Sequence, residues 1–338
     1  MRVLDYFTSG PIAGRRKARP SGNRAKDGQD REARDRESKP IAPLDEAQRA
    51  KSFLLVLESE GVVFDSIEPS FRQGYIPAFA ALFSWGLDPG LCARLFTHLA
   101  LESRLKAAPP LVVLLAALKY LNRHFPSLRR TAVIQCLEGL VTAAEHPDED
   151  AILPSLHGAP EDSPRKIILE WLEESRSLLA EAAAQPRCFA TARHFLETLA
   201  QEFPGAEVLV YSTIPESIAL NRWEMEGMGS LFLRLAGPER GDFPAYLRTA
   251  LSQGYDTKPL LVVGGSFGAW QAAQAVGARF FPVVAGGEER AWSELKERFL
   301  PAFLQGRSSV LGSDSSRFVS LLFDDLALSE LVEPYLSR

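Results

Sequence analysis

Phe53-Leu-Leu-Val-Leu-Glu58-Ser59-Glu60-Gly61-Val-Val-Phe-Asp65-Ser66 runs five apolar side chains straight into two glutamates one residue apart. A short run that is apolar on both faces predicts a strand inside a parallel sheet. The acids at its exit have two readings. They form a solvated acidic turn, or they are held where an enzyme holds a nucleophile and a metal. A second strand-turn-helix unit, Leu260-Leu-Val-Val-Gly264-Gly265-Ser266-Phe-Gly268, favours the second reading, because two such units belong to one sheet.

The chain has 338 residues, 46% of them hydrophobic and 24% charged, which suits one large globular domain or two ordinary ones. Cys92, Cys136 and Cys188 fit no metal-ligand spacing and leave an odd thiol if two pair, so a reducing cytoplasm is expected. The longest apolar stretch, 111–118, is far short of the roughly 20 residues a membrane span needs. Residues 1–20 do not read as a secretory signal. The net charge of −5 is uneven: residues 1–40 carry eleven Lys/Arg against six Asp/Glu. Rich in Gly, Pro, Ser and charge, that segment cannot bury enough surface to offset its ordering entropy and is expected to be a disordered tail. Its basic run Arg15-Arg16-Lys17-Ala-Arg19 has no interleaved aromatics, which argues against specific nucleic-acid binding.

Between about 70 and 200 the spacing is helical. Pro109-Pro110 opens a helix over 111–121 that Pro126 closes, Ser127 is a candidate N-cap for a helix running to about Glu145, and Ser163-Pro164 starts another. That last helix places Ile167, Ile168, Trp171, Leu172, Leu178 and Leu179 on one broad face. From Glu207 strands and helices alternate, with strands expected at 208–211, 232–235, 260–263 and 280–284 and a helix over 269–276. The expected fold class is α/β, a Rossmann-like parallel sheet with a large inserted helical cap. The expected divisions are a tail at 1–48, a core at 49–68 and 203–310, a cap at 69–202 and a partly helical extension at 311–338.

This order, with three local segments, resembles the haloacid dehalogenase-like (HAD) superfamily. The first motif of that family, Asp-x-Asp-Gly followed by Asp-Ser, stands here as Glu58-Ser59-Glu60-Gly61 with Asp65-Ser66. The second, a strand ending in Ser or Thr, is matched by Val208-Leu-Val-Tyr-Ser212-Thr213. The fourth is matched in frame by the strand leading to Gly264-Gly265-Ser266 and the helix closed by Gly277-Ala278. For the loosely placed basic residue of the third, Arg240 has the family spacing and Lys258 is the second candidate.

The resemblance implies roles residue by residue. Glu58 takes the nucleophile position and Glu60 the acid/base position. Ser212, Thr213 and Arg240 form a phosphate or anion cradle, and Glu58 and Glu60 are the remaining metal ligands. The departures fall on the chemistry. Both first-motif acids are a methylene longer than the family's aspartates, Gly265 replaces the fourth-motif acid, and Ala269 and Trp270 stand where a further acid often lies. Mg²⁺ requires near-octahedral oxygen ligands, so it is expected to bind weakly if at all. A misplacement of about 1 Å at a nucleophile costs on the order of a hundredfold in rate. The implied function is a catalytically degenerate binding or regulatory protein. It would take a small phosphorylated ligand, or a protein partner through the cap. The alternative is a HAD-like phosphatase acting on a small phosphorylated metabolite, with Glu58 and Glu60 as its working carboxylates.

Gly264-Gly265-Ser266-Phe267-Gly268 also spells the nucleophile elbow of serine hydrolases. That reading requires a histidine after the serine, and the last histidine is His194. His98, His124, His146, His157 and His194 show no zinc-site pairing. Trp270 and Trp292 are expected to pack helices on the sheet, unless Trp270 fills the metal cleft.

Overall fold

The computed structural model describes residues 52–126, 130–144, 147, 149–182, 186–252, 259–307 and 318. The tail at 1–48, Ser127, His146, Lys258 and most of the extension at 311–338 lie outside these residues.

β1 (Phe53–Glu58) is buried along its whole length and lies in the middle of a five-stranded sheet. β4 (Ala206–Tyr211) flanks it on one side and β6 (Leu260–Gly264) on the other, all parallel. Outside them lie β5 (Arg234–Ala236) and β7 (Arg279–Pro282), also parallel. Side chains alternate across the strand. Phe53, Leu55 and Leu57 join one apolar layer, and Leu54 and Val56 the other. The first layer is closed by α7 (Ala190–Glu202), α8 (Glu216–Met225), α11 (Glu288–Glu294) and α12 (Leu300–Leu304). The second is closed by α9 (Phe243–Ala250) and α10 (Phe267–Ala275). With both faces covered, β1 has no polar side, which is why its apolar run is unbroken.

After β1 the chain turns through Gly61 and returns as β2 (Phe64–Asp65), which pairs antiparallel with β3 (Arg187–Cys188). This two-stranded neck separates the sheet from the cap. The cap begins with a helical stretch over 67–75 that runs into α1 (Ile76–Phe83). It continues through α2 (Pro89–Leu101), α3 (Pro110–His124), α4 (Thr131–Ala143), α5 (Glu149–Leu156) and α6 (Pro164–Ala182). Leu111 to Leu118 are all buried, and α3 packs on α2 and α4 within the one apolar cluster that also holds Phe79, Phe96, Leu137 and Trp171.

Several expectations need correction. The cap expected over 69–202 takes in residues 190–202, but Ala192, Phe195, Leu196 and Leu199 pack against the sheet layer and α7 lies on α11. The cap therefore ends at the neck, near 186. An amphipathic helix carries no mark of which apolar layer its face will meet. The helix expected from Ser127 starts at Thr131 with Arg130 as its cap residue. Ser163 precedes α6 as expected, but its hydroxyl is buried without a hydrogen-bond partner and does not cap. Trp292 packs as expected and donates its indole N–H to Val62 O at 2.8 Å. Trp270 stacks on Phe267 at 5.6 Å.

Gly61 makes the turn at the end of β1 with φ +68°, and a Cβ there would stand 2.8 Å from Ile67 Cδ1. Both a left-handed backbone and a close side chain oppose substitution. Gly61→Ala is expected to lose about 1–3 kcal/mol in urea unfolding. Unchanged stability would show that the turn relaxes freely.

Candidate functional site

The parallel register brings the carboxyl ends of β1, β4 and β6 side by side. Glu58 lies opposite Tyr211, and Leu57 opposite Val263. At these ends stand Glu58-Ser59-Glu60, Ser212-Thr213 and Gly265-Ser266, all buried but the half-buried Thr213. Glu58 meets the double-glycine bend, and Glu60 meets the segment after β4.

Glu58 is 1% exposed. Its Oε2 accepts from Gly265 N at 2.7 Å and Ser266 N at 3.0 Å, the amides that open α10. A helix N-terminus favours an anion there. Ser266 meanwhile caps the same helix, its Oγ accepting from Ala269 N at 3.1 Å. Oε1 of Glu58 is buried with no hydrogen-bond partner. Burial pushes the Glu58 carboxyl above its ordinary range, against the pull of Ser266, the Gly265 amide and the charge of Lys106. Gly264 is small by necessity, since a Cβ there would stand 2.3 Å from Ala269 Cβ and 3.2 Å from Glu58 Oε2.

Glu60, 3% exposed, turns to the other side of the cleft. Its Oε2 accepts from Ser212 Oγ at 2.8 Å and Thr213 N at 2.9 Å, and Thr213 Oγ1 stands at 3.5 Å. Arg222 of α8 approaches Oε1 at 3.5 Å. Ser212 and Thr213, expected to cradle a phosphate, thus hold the carboxylate of Glu60. Between the two acids, Ser59 is fully buried and receives the indole N–H of Trp223 at 3.0 Å.

Lys106 reaches this cleft from the cap segment between α2 and α3. It is 8% exposed and donates to Val283 O, just past β7, at 3.2 Å. A Cβ on Gly265 would stand 2.6 Å from Lys106 Nζ and 2.7 Å from Val283 O, so the ammonium fills the space that an acid at 265 would need. Burial lowers the Lys106 ammonium, while the charges of Glu288, Glu58 and Glu68 raise it. Burial pushes Glu288 up in turn.

Arg240 takes no part in these contacts. Its guanidinium is two-thirds exposed on the turn after β5 and donates to Glu216 at 3.0 Å, beside a cleft of about 280 Å³ lined by Arg234, Tyr246 and Thr249. Among the described residues, Arg222 stands 3.5 Å from Glu60 and the charge of Lys106 acts on Glu58, and neither lies in a motif of the resemblance. The only trace of Lys106 in the sequence is the missing acid at 265. Ser266 as a nucleophile has no histidine to follow it, and its Oγ is engaged in capping.

The residues present do not fit Mg²⁺. One oxygen of each glutamate is already engaged, position 265 has no carboxylate, and an ammonium fills its space. Among the described residues no group of three or more His, Cys, Asp or Glu could hold a metal ion.

No protein-family model matches the chain, and no curated protein does. Among solved structures, the chain is similar to a haloacid dehalogenase-like family hydrolase from Streptococcus pneumoniae, at 11% identity and TM-score 0.40, over 71% of this chain and 90% of that one. It is also similar to a haloacid dehalogenase-like family hydrolase from Xanthomonas campestris, at 15% identity and TM-score 0.40, over 76% and 99%. A hydrolase from Streptococcus pneumoniae TIGR4 aligns at 15% identity and TM-score 0.36, over 71% and 97%. The fold is Rossmann-like on its own topology: a parallel five-stranded sheet with a helical cap inserted after its first strand.

Folded Glu58 keeps its proton to a higher pH than the unfolded chain, because burial raises its carboxyl above 4.5. From that group the folded state therefore loses stability as pH rises above 4.5. In urea unfolding, Glu58→Gln is expected to gain on the native chain between there and neutrality. A pH-independent difference over that window would show that burial does not dominate.

Proposed function

We propose that this chain is a catalytically degenerate HAD-like protein that binds or regulates rather than turns over a phosphoester. The observation that carries this reading is the occupation of the cleft by the chain's own side chains. Phosphoryl transfer relies on positioning and on stabilising charge around the transferred group. In this chain the donors suited to that task already hold Glu58 and Glu60, and a lysine stands where a metal-binding acid belongs. A phosphate would have to displace Glu60 to reach Ser212 and Thr213. What remains for recognition is the cap, whose outer surface is the natural place for a protein partner. No helix among the described residues is long and apolar enough to cross a membrane.

A second reading is favoured by one observation: Glu58 Oε1 is left without a partner beside the Lys106 charge. An unpaired carboxylate oxygen is what a nucleophile needs. The alternative is then a hydrolase of a small phosphorylated metabolite, with Glu58 attacking phosphorus and Glu60 moving the proton. The similar structures named above are described as hydrolases, and that activity is theirs.

An aryl phosphate assay separates the two. The native chain is expected to show no turnover above Glu58→Gln, with or without Mg²⁺. Turnover abolished by that substitution would establish the hydrolase. A binding measurement tests the self-filled cradle: Glu60→Ala frees Ser212, Thr213 and Arg222. It is expected to bind inorganic phosphate about tenfold or more tightly than the native chain in calorimetry, the worth of one or two charge-assisted hydrogen bonds. Equal affinity would mean that Glu60 does not occupy the phosphate seat.

A further inference from the structure

We propose that Lys106 is this chain's built-in replacement for a divalent cation, a cap-borne ammonium that neutralises the acids of the core cleft and makes the fold independent of metal. The inference rests on the degenerate reading of the site only in taking the metal to be absent from the protein's working state.

Three observations converge. The first is steric. Position 265 is glycine, and only glycine leaves room, since a Cβ would collide with both Lys106 Nζ at 2.6 Å and the backbone carbonyl of Val283 at 2.7 Å. The bare position 265 and the lysine beside it are thus one arrangement of packing.

The second is electrostatic. Lys106 feels the charges of Glu58 at the end of β1, Glu68 at the start of the cap and Glu288 on α11. Acids from three separate elements thus act through space on one buried cation. A single tethered charge answers them.

The third is the unpaired Oε1 of Glu58. With that atom short of a donor, the charge of Lys106 favours the ionised form of Glu58 against the burial that disfavours it. Removing one member of a buried pair is strongly destabilising, because the other charge is left uncompensated.

The test uses the full chain and thermal unfolding, with and without millimolar Mg²⁺. The native chain is expected to show no Mg²⁺-dependent shift of its midpoint. Lys106→Met, which keeps length and loses charge, is expected to lower the midpoint by about 6 °C or more. In Lys106→Ala, which also empties the space beside Glu58, part of the loss should return on adding Mg²⁺. Glu58→Gln/Lys106→Met should regain most of the loss without Mg²⁺, since a neutral side chain needs no counter-charge. If Lys106→Met yields no folded protein, recovery of folded protein in the double variant carries the same conclusion, and failure to recover it overturns the proposal. A native chain stabilised by Mg²⁺, or a Lys106→Met variant as stable as the native chain, would also overturn it. Phosphoester turnover by the native chain without metal would end the degenerate reading and leave the replacement of metal by Lys106 standing.

Discussion

A carboxylate at the exit of a fully buried strand has to be matched by donors and by charge, and this requirement organises the centre of the molecule. β1 has no polar face, so it delivers Glu58 and Glu60 into the buried interior. An ionised group there is expensive unless hydrogen-bonded and offset. The amides of Gly265 and Ser266 answer one glutamate; Ser212, Thr213 and Arg222 answer the other. These groups come from β4, β6 and the helices that follow them. The sheet register and the site are therefore one arrangement.

The extra methylene of glutamate has a definite consequence in this setting. At the first acid, the carboxylate reaches across to the helix that follows β6 and lodges against its first amides. At the second, it reaches to the end of β4 and takes donors that could otherwise face a ligand. The cap contributes the remaining charge through Lys106, which donates to a core carbonyl and so also ties the two parts of the chain together. Cap position and cleft electrostatics are consequently coupled through one side chain.

Much of the fold was legible because its signals are local. The apolar runs at 53–57, 208–211 and 260–263 could only be buried strands, and the helical spacing between 111 and 179 marked the cap. Ser212, Thr213 and the Gly265 bend were legible as donors because they lie within motifs, but they were expected to face a phosphate and instead hold Glu60 and Glu58. The errors have a common cause. Arg240 had the right spacing, yet it lies on an exposed turn where Glu216 satisfies it. The helix at 190–202 had an amphipathic pattern that suits either apolar layer.

The sequence alone determined that a buried parallel strand ends in two acids, that glycine replaces a carboxylate at 265, and that a helical segment interrupts the sheet. These are properties of neighbouring residues and of periodicity. Only the tertiary structure decided that Lys106 fills the place at 265 and that Glu60 takes the donors of Ser212 and Thr213. Contacts across 159 or 152 positions of chain depend on how cap and core close on each other, and no local pattern records them.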